Sequence, residues 1–416
     1  MSKTLTEKPK TPFYYVKKRL KANIPAIFGL AVISLAILVA IFGYLIMPDP
    51  TPNANDGDVA IAKKPVGFSV QLLKERKHTA ILQTNIFKKM LFGQESIYKI
   101  TPITSYRIEG YTIHYKMYGR EDKTFSAHLI NVVKPLFIGE QDLLPNPDAS
   151  GNFSVNGDQV QYVDIDGTLQ TTTRAALEEE FKTNHIEERL YALGTDKMGR
   201  DMLSRLILGT RISLGIGFVA VLISLVVGIT LGSIAGFFGG AIDNFVMWFM
   251  TVVWSIPGIM LVIAISLALS DRGIWVAFVA VGLTTWVEIA RVVRGQIMEI
   301  KQKQFIEAAK ALGARNFNII ARHIFPNLLG SLIVIISANF ASAILIEAGL
   351  SFLGLGVQPP TPSWGMMVNE GFELIGSKGH FHMIFYPSLC ISLMVLAFNL
   401  LGNGLRDAYD PKTIIK

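Results

Sequence analysis

The sequence predicts an α-helical polytopic membrane protein with six transmembrane helices and a mixed β/α domain inserted after the first helix. Of its 416 residues, 50% are hydrophobic and 17% are charged, whereas soluble globular domains carry about 25% charged residues. The chain has six apolar segments, and one long polar region separates the first of them from the other five. Its mean hydropathy is +0.40. This composition, with Cys390 as the single cysteine, excludes a disordered chain and a disulfide scaffold.

The first apolar segment predicts a retained transmembrane helix. Residues 1–23 are polar and basic, and the apolar run Ile24–Met47 follows. A helix needs about 20 apolar residues to cross a bilayer, whereas the apolar core of a cleaved signal peptide has about 7–15. We therefore expect residues 24–47 to form the first span and residues 1–23 to form a cytoplasmic N-terminal segment.

Five further apolar segments follow residue 211. They are Ile212–Phe238, Phe245–Leu269, Ile274–Ala290, Leu328–Leu355 and Met383–Leu401. Six spans place both termini in the cytoplasm together with residues 291–327, which carry seven Lys/Arg. The short outer loops carry only Arg272 and Lys378, so the positive-inside rule agrees with the span count.

The long polar region, residues 48–190, lies outside the membrane in this topology. Residues 111–117 alternate apolar and polar side chains, which predicts a strand, and residues 153–160 predict two strands around an Asn-Gly turn. Residues 174–191 have a helical pattern. Because about 140 residues can bury a core of their own, we expect an extracytoplasmic inserted domain over 48–190, followed by a core of five spans over 191–416.

Motifs for covalent chemistry and for nucleotide or metal binding are absent from the sequence. It contains no P-loop, His-Glu-x-x-His, Cys-x-x-Cys or Gly-x-Ser-x-Gly motif. Residues 164–167 (DIDG) lack most ligands of a calcium loop and predict a turn, and His380 with His382 is too few for a metal site. Cys390 lies in an apolar run, where packing in the membrane is expected. No basic stripe joins with aromatic residues, so nucleic-acid binding is not predicted.

The cytoplasmic segment 291–327 carries a helix–turn–helix pattern. Two adjacent alanines lie in a first helix over 305–312, a glycine ends it, charged residues flank the turn, and a proline precedes the next span. The residues that carry the pattern are Glu307, Ala308, Ala309, Gly313, Arg315 and Pro326. A docking element and a solvated basic loop are the two interpretations. Only the first explains small residues that let another surface approach closely.

This segment resembles the EAA loop of ABC importer permeases. Residues 193–214, 349–365 and 399–411 resemble the dipeptide/oligopeptide branch of that family, in its C-type (DppC/OppC-like) subunit. The resemblance is close over 192–416 and loose over 1–47. Trp248, Thr251 and Asn403 depart from the usual residues of the family, and the first outer loop is much longer than in the family.

The resemblance implies one half of a pore in the bacterial inner (plasma) membrane. It implies three kinds of partner: a second homologous permease subunit, two ATP-binding subunits that hold ATP and Mg, and an extracytoplasmic substrate-binding protein. The chain itself is then not an enzyme and binds no cofactor. Segment 305–326 would transmit closure of the ATPase subunits to the spans.

The expected substrate is a di- or oligopeptide, because most of this branch moves peptides. Nickel or another small solute is the alternative within the same architecture. A membrane-anchored sensor with residues 48–190 as its ligand domain is an alternative of another class. The insert has three candidate roles: docking the binding protein, covering the pore mouth, or acting as a spacer or a contact for the second permease.

Several residues near the spans are candidates for the transport path or for helix packing. Glu288 and Glu347 either mark a substrate path or extend to the interface. Arg200, Arg205, Arg211 and Trp364 are candidates for an outer vestibule. The three arginines there either meet a peptide carboxylate or anchor the helix to headgroups or nearby acids. Close helix packing is expected at Gly228, Gly232, Gly236, Gly354 and Gly356.

Overall fold

The computed structural model describes residues 12–137, 152–269, 273–376 and 379–409. Residues 1–11, Arg272, Lys378 and the last residues of the C-terminal motif, 410 and 411, lie outside the described residues. The chain divides into two compact units. The helical unit comprises Met1–Ala40, Gly209–Asn369 and Phe385–Lys416, and the β unit comprises Ile41–Leu208 and Glu370–Ile384. The β unit thus extends beyond the predicted insert, residues 48–190, on both sides.

Two helices precede the inserted strands: α1 (Pro12–Ala22) and α2 (Ile24–Ile46). Asn23 separates them and caps α2, because its side-chain oxygen accepts a hydrogen bond from the Ala26 amide at 3.1 Å. α2 is long and apolar enough to cross a membrane. Its large side chains, such as Leu35 and Leu38, are exposed to the surroundings of the chain, as expected of a helix whose solvent is lipid.

The inserted region forms two antiparallel sheets with short helices, which confirms the mixed β/α prediction. Its elements are β1 (Phe68–Arg76), α3 (Ile86–Phe92), β2 (Tyr98–Glu109), β3 (Thr112–Met117), β4 (Arg120–His128), α4 (Leu129–Val133), β5 (Phe153–Asn156), β6 (Gln159–Val163), β7 (Leu169–Thr173), α5 (Arg174–Glu180) and β8 (Ile186–Tyr191). The strand orders are β4-β3-β2-β1-β8 and β5-β6-β7. The apolar helix α4 lies in a core to which both sheets contribute.

The local predictions within the insert were confirmed in part. The hairpin β5–β6 exists, but Asn156 pairs with Gln159, so its turn residues are Gly157 and Asp158, with φ of +61° at Gly157. The DIDG segment, residues 164–167, forms the turn between β6 and β7. The helical prediction for 174–191 is confirmed over 174–185, where α5 continues into a π-helical turn, and is wrong over 186–191, which form β8. Pairing of β8 with the edge of β1 outweighs its local helical pattern.

The remaining elements are helices. They are α6 (Met202–Phe238), α7 (Gly240–Ser255), α8 (Gly258–Ala268), α9 (Ile274–Ile300), α10 (Gln304–Ala311), α11 (Asn316–Ile319), α12 (Phe325–Phe352), α13 (Trp364–Phe372) and α14 (His382–Tyr409). Over the described ranges, five helices are long and apolar enough to span a membrane, or six if the bent pair α7–α8 counts as one span.

The third predicted span, Phe245–Leu269, is wrong as a single helix. α7 and α8 meet at 91°. Ile256 leaves the helical region with ψ of 127°, and Pro257 follows it. A proline disfavours helical backbone in the residue before it and lacks an N–H for the helical ladder, so the break follows from these two residues.

α6 and α9 approach so closely that three glycines, one per turn of α6, are required. A Cβ atom at Gly228, Gly232 or Gly236 would lie 2.8, 2.5 or 2.8 Å from the nearest atom of α9. This confirms the packing predicted for these three glycines. Gly354 and Gly356 have another role, because they form the tight turn after α12, where Gly354 has φ of +73°.

Candidate functional site

The predicted helix–turn–helix is present in segment 291–327. α10 ends where the sequence predicts, because Gly313 has φ of +79°, a left-handed conformation that favours glycine. The amides of Gly313 and Ala314 donate to the carbonyls of Lys310 and Ala309 at 2.9 and 3.1 Å, which satisfies the end of the helix. Arg315 then precedes α11, and its carbonyl accepts the Ile319 amide at 3.0 Å.

The inner face of this segment packs on the helical unit. Ile306, Ala309, Ile319 and Ile324 are buried in one apolar cluster with residues of α6, α9 and α12. Lys301 closes the α9 end of the cluster by donating its Nζ hydrogen bond to the Phe237 carbonyl at 2.5 Å. The prediction that both alanines face a partner therefore needs correction: Ala308 is exposed, whereas Ala309 packs inward.

The outer face of the segment exposes apolar side chains beside charged ones. Phe305, Leu312 and Phe317 are 46%, 88% and 78% exposed. Together with the exposed residues Glu307, Ala308 and Arg315 they form what we call the coupling surface. Exposed aromatic and aliphatic side chains grouped in this way are typical of a protein–protein interface.

The helix–turn–helix continues into α12 through helical backbone. α11 passes through a π-helical turn, Ile320–Ile324, into α12, so a continuous helical stretch runs over Asn316–Phe352. Pro326 is the second residue of α12, directly after the π-helical turn, and it has no N–H to donate within this helical stretch. Helical backbone therefore links α11 to α12.

An ion pair that the sequence analysis missed joins α7 to α9. Arg294 donates from Nε and Nη2 to the two carboxylate oxygens of Asp243 at 2.5 and 2.7 Å. The two residues are separated by 51 positions, and no local pattern links them. This bidentate geometry fixes the start of α7 on the C-terminal half of α9.

Two predicted vestibule arginines lie in a buried ion cluster of the β unit. Arg200 donates to Asp196 at 2.6 Å and to Glu370 at 3.3 Å. Arg205 lies 3.1 Å from Asp196 and 3.6 Å from Glu370, and its side chain is fully buried. In this conformation both guanidinium groups face carboxylates of the chain, which is the nearby-acid alternative of the sequence analysis. Arg211 is half-buried on α6.

Trp364 and Glu347 belong to a second buried polar cluster, in the helical unit. Glu347 is 1% exposed and accepts hydrogen bonds from the Oγ atoms of Ser351 at 2.8 Å and Ser213 at 3.3 Å. The Trp364 amide donates to Ser213 at 3.3 Å, and the indole ring packs over Gly209. In this conformation both side chains are therefore buried within the protein, and Trp364 does not lie on an open surface.

The β unit contains a polar cavity of about 400 Å³. Its wall includes Lys74 and Arg189, which pair with Glu187 at 3.2 and 2.9 Å. Asp56 lies on the same wall, and burial together with the neighbouring Asp49 raises its pKa to about 6. This cavity gives the insert a charged interior that the sequence analysis did not predict.

Metal-ligand geometry is absent among the side chains that the structure describes: no three His, Cys, Asp or Glu residues are grouped to hold an ion. His382 lies at the start of α14, with its Nε2 atom 3.4 Å from the Thr195 carbonyl oxygen. That contact joins the start of α14 to the backbone at Thr195.

Comparison with known families matches two parts of the chain. Residues 228–415 match the family described as the binding-protein-dependent transport system inner membrane component. Residues 11–65 match the family described as the N-terminal TM domain of oligopeptide transport permease C.

Individual proteins are similar over about half of the chain. The dipeptide transport system permease protein DppC of Bacillus subtilis (strain 168) is 43% identical over 219 residues, which cover 53% of this chain and 68% of that protein. The glutathione transport system permease protein GsiD of Pectobacterium atrosepticum is 44% identical over 221 residues, which cover 53% and 72%. A solved structure of the MetNI methionine ABC transporter in inward-facing conformations aligns at 20% identity and a TM-score of 0.42, over 50% of this chain and 98% of that chain.

Proposed function

The chain belongs to the family of inner membrane components of binding-protein-dependent transport systems, and we propose that it is the permease subunit of a bacterial importer of di- or oligopeptides. It forms half of the pore beside a second homologous permease subunit. Two ATP-binding subunits hold ATP and Mg on the cytoplasmic side, and an extracytoplasmic binding protein delivers the substrate. The chain itself performs no covalent step.

The relatives support peptides as the substrate class. They are named as dipeptide and glutathione permeases, and glutathione is itself a tripeptide. Nickel or another small solute remains the alternative, to be tested in the same uptake assay. The match of residues 228–415 to transport permeases favours transport over a membrane-anchored sensor.

The observation that carries the coupling proposal is the two-faced packing of α10 and α11. One face is fixed to α6, α9 and α12 through a shared apolar cluster. The coupling surface on the other face leaves Phe305, Leu312 and Phe317 without cover. An ATPase that binds this surface differently in its ATP-bound and ATP-free states biases the spans between two arrangements.

The proposed orientation puts both termini and the coupling surface in the cytoplasm. The support is the charge distribution: the segment 291–327 carries seven Lys/Arg. The inserted sheets are then extracytoplasmic, on the side of the binding protein.

The coupling proposal is tested by reversing one exposed charge. We expect Glu307→Lys to lower co-purification of the ATP-binding subunits and uptake of radiolabelled Ala-Ala at least tenfold, in proteoliposomes that contain the four membrane and ATPase subunits and the binding protein. Glu307 is exposed, so the change leaves the packing of α10 intact. Glu299→Lys, which reverses an exposed charge at the end of α9, is the matched control.

The control separates docking from a general charge effect. Equal losses in both variants would refute a specific role for Glu307, and unchanged ATPase association with unchanged uptake would refute the coupling surface. Wild-type vesicles that take up nickel or another small solute but no peptide would refute the substrate class and leave the coupling proposal intact.

A further inference from the structure

A cavity of about 430 Å³ lies in the helical unit at the break between α7 and α8. Trp254, Pro257 and Leu345 provide apolar wall, and Thr284 and Glu288 of α9 provide polar groups. Its volume falls in the range of about 300–1,000 Å³ that small-molecule pockets occupy. The cavity is therefore large enough to receive part of a small solute.

The broken backbone indicates that this cavity contains water or a polar guest. α7 and α8 bend by 91° inside an apolar segment of span length, at Ile256 and Pro257. Interrupted helical backbone at membrane depth is tolerated only where protein buries it or where it lines an aqueous cavity. Ile256 and Pro257 themselves line the cavity, so the break and the cavity form one feature.

Glu288 is the charged side chain of this cavity. It lies between the buried residues Val287 and Ile289, yet it is itself exposed. Within the described parts of the chain its carboxylate has neither a hydrogen bond nor an ion pair. Arg291, one turn further along α9, lies 4.4 Å from the Trp254 ring centre in a cation–π contact. An ionised carboxylate in a span is costly to the fold unless a cation or water meets it.

The chemistry of the wall favours an organic ammonium over a metal ion. Calcium takes six to eight oxygen ligands and magnesium a near-octahedral set, whereas this wall offers one carboxylate and hydroxyl groups. Thr284 donates its Oγ1 hydrogen to the Val281 carbonyl at 2.8 Å, which leaves its lone pairs free to accept. Ser342 of α12 provides a further hydroxyl on the wall. A protonated amine has N–H donors for such groups.

We propose that Glu288 and the neighbouring hydroxyls form an ammonium subsite in the transport path, which takes the protonated amine of a peptide while the apolar wall packs on its side chains. This inference rests on the proposed function, because it concerns the path of a peptide permease. It adds a residue of this chain that discriminates substrates by charge.

The test compares a free and a blocked amine. Uptake of radiolabelled Ala-Ala and of N-acetyl-Ala-Ala is measured in proteoliposomes that contain the complete transporter, with the binding protein saturated by each peptide. We expect Glu288→Gln to lower Ala-Ala uptake tenfold or more and to leave N-acetyl-Ala-Ala uptake within twofold of wild type. Glu288→Asp should recover part of the loss, because it keeps the charge. Glu299→Gln, on the same helix but outside the cavity, is the control.

Two results would overturn the subsite. An equal loss for both peptides, or loss of the second permease from the purified complex, would make Glu288 a structural residue. Unchanged uptake of both would give it no role in selection. A wild-type transporter that moves neither peptide but moves another solute would instead refute the peptide assignment, and the amine preference with it.

Discussion

The helical unit exposes more of its large apolar side chains than the β unit does. In the helical unit the closest approach is between backbones, where glycines of α6 lie against α9, and large side chains such as Phe218 and Leu222 remain exposed. In the β unit the sheets bury large side chains in their core, where Leu72, Ile103 and Ile113 are at most 1% exposed. The difference follows from the solvent: lipid is as apolar as the side chains, so only tight packing and polar contacts hold the helices together.

Buried charged side chains occur in both units. The β unit places a four-residue ion cluster in its interior, and the helical unit places Glu347 among hydroxyl groups. Both units therefore compensate each buried charge locally, whereas Glu288 stands in a cavity.

Removing one guanidinium from the buried ion cluster has the largest expected effect. Arg205→Met leaves Asp196 and Glu370 with Arg200 as their remaining close cation. Breaking a buried ion pair from one side costs about 3–5 kcal/mol, and we expect the lower end because Arg200 stays. Lys197→Met removes an exposed pair with Glu373 and should cost at most about 1 kcal/mol. Thermal unfolding of the purified chain in detergent measures both, and equal shifts would contradict the distinction.

The next largest expected effect on stability comes from a substitution among the α6 glycines that face α9. A Cβ at Gly232 would lie 2.5 Å from the Ala290 carbonyl oxygen, so Gly232→Ala forces α6 and α9 apart. Overpacking of this kind costs about 1–3 kcal/mol. Gly215→Ala on the same helix meets nothing within 4 Å and should be neutral or stabilising, since alanine is favoured over glycine in helices. The midpoint of unfolding in detergent is measured for each variant. If Gly232→Ala is as stable as Gly215→Ala, close backbone contact between α6 and α9 does not stabilise the helical unit.

Sequence reasoning succeeded where the signal is local. Apolar length predicted the spans, Gly313 predicted the end of α10, and the close packing expected of five glycines was found at Gly228, Gly232 and Gly236. The break at Ile256 was also readable, because a residue before proline leaves the helical region. It was missed because apolar length outweighed that one residue in the prediction.

The unpredicted features depend on residues far apart in the chain. Arg200 and Glu370 are 170 positions apart, so their pairing appears only in the fold. β8 was read as helix because its charged residues suit both states, and the free edge of β1 decided between them. The core of the insert could likewise not be predicted from local patterns, because side chains from both sheets form it.

The smallest effect concerns Asp56 and the pH dependence of the β unit. Burial and Asp49 raise its pKa to about 6 from 3.8, so the folded state favours the protonated carboxyl. Its stabilising contribution is therefore present below about pH 4 and is lost as pH rises through about 6. Each pKa unit corresponds to about 1.4 kcal/mol, and the partial exposure of Asp56 reduces the gain expected from Asp56→Asn at pH 7.5 to about 1 kcal/mol.

Hydrogen exchange of the whole protein, corrected for intrinsic rates, should show β1 better protected in Asp56→Asn than in wild type at pH 7.5, with a smaller difference at pH 5. Glu95→Gln, an exposed acid on the same cavity wall, should change neither. A difference that persists unchanged at pH 5 would assign the effect to packing and not to charge.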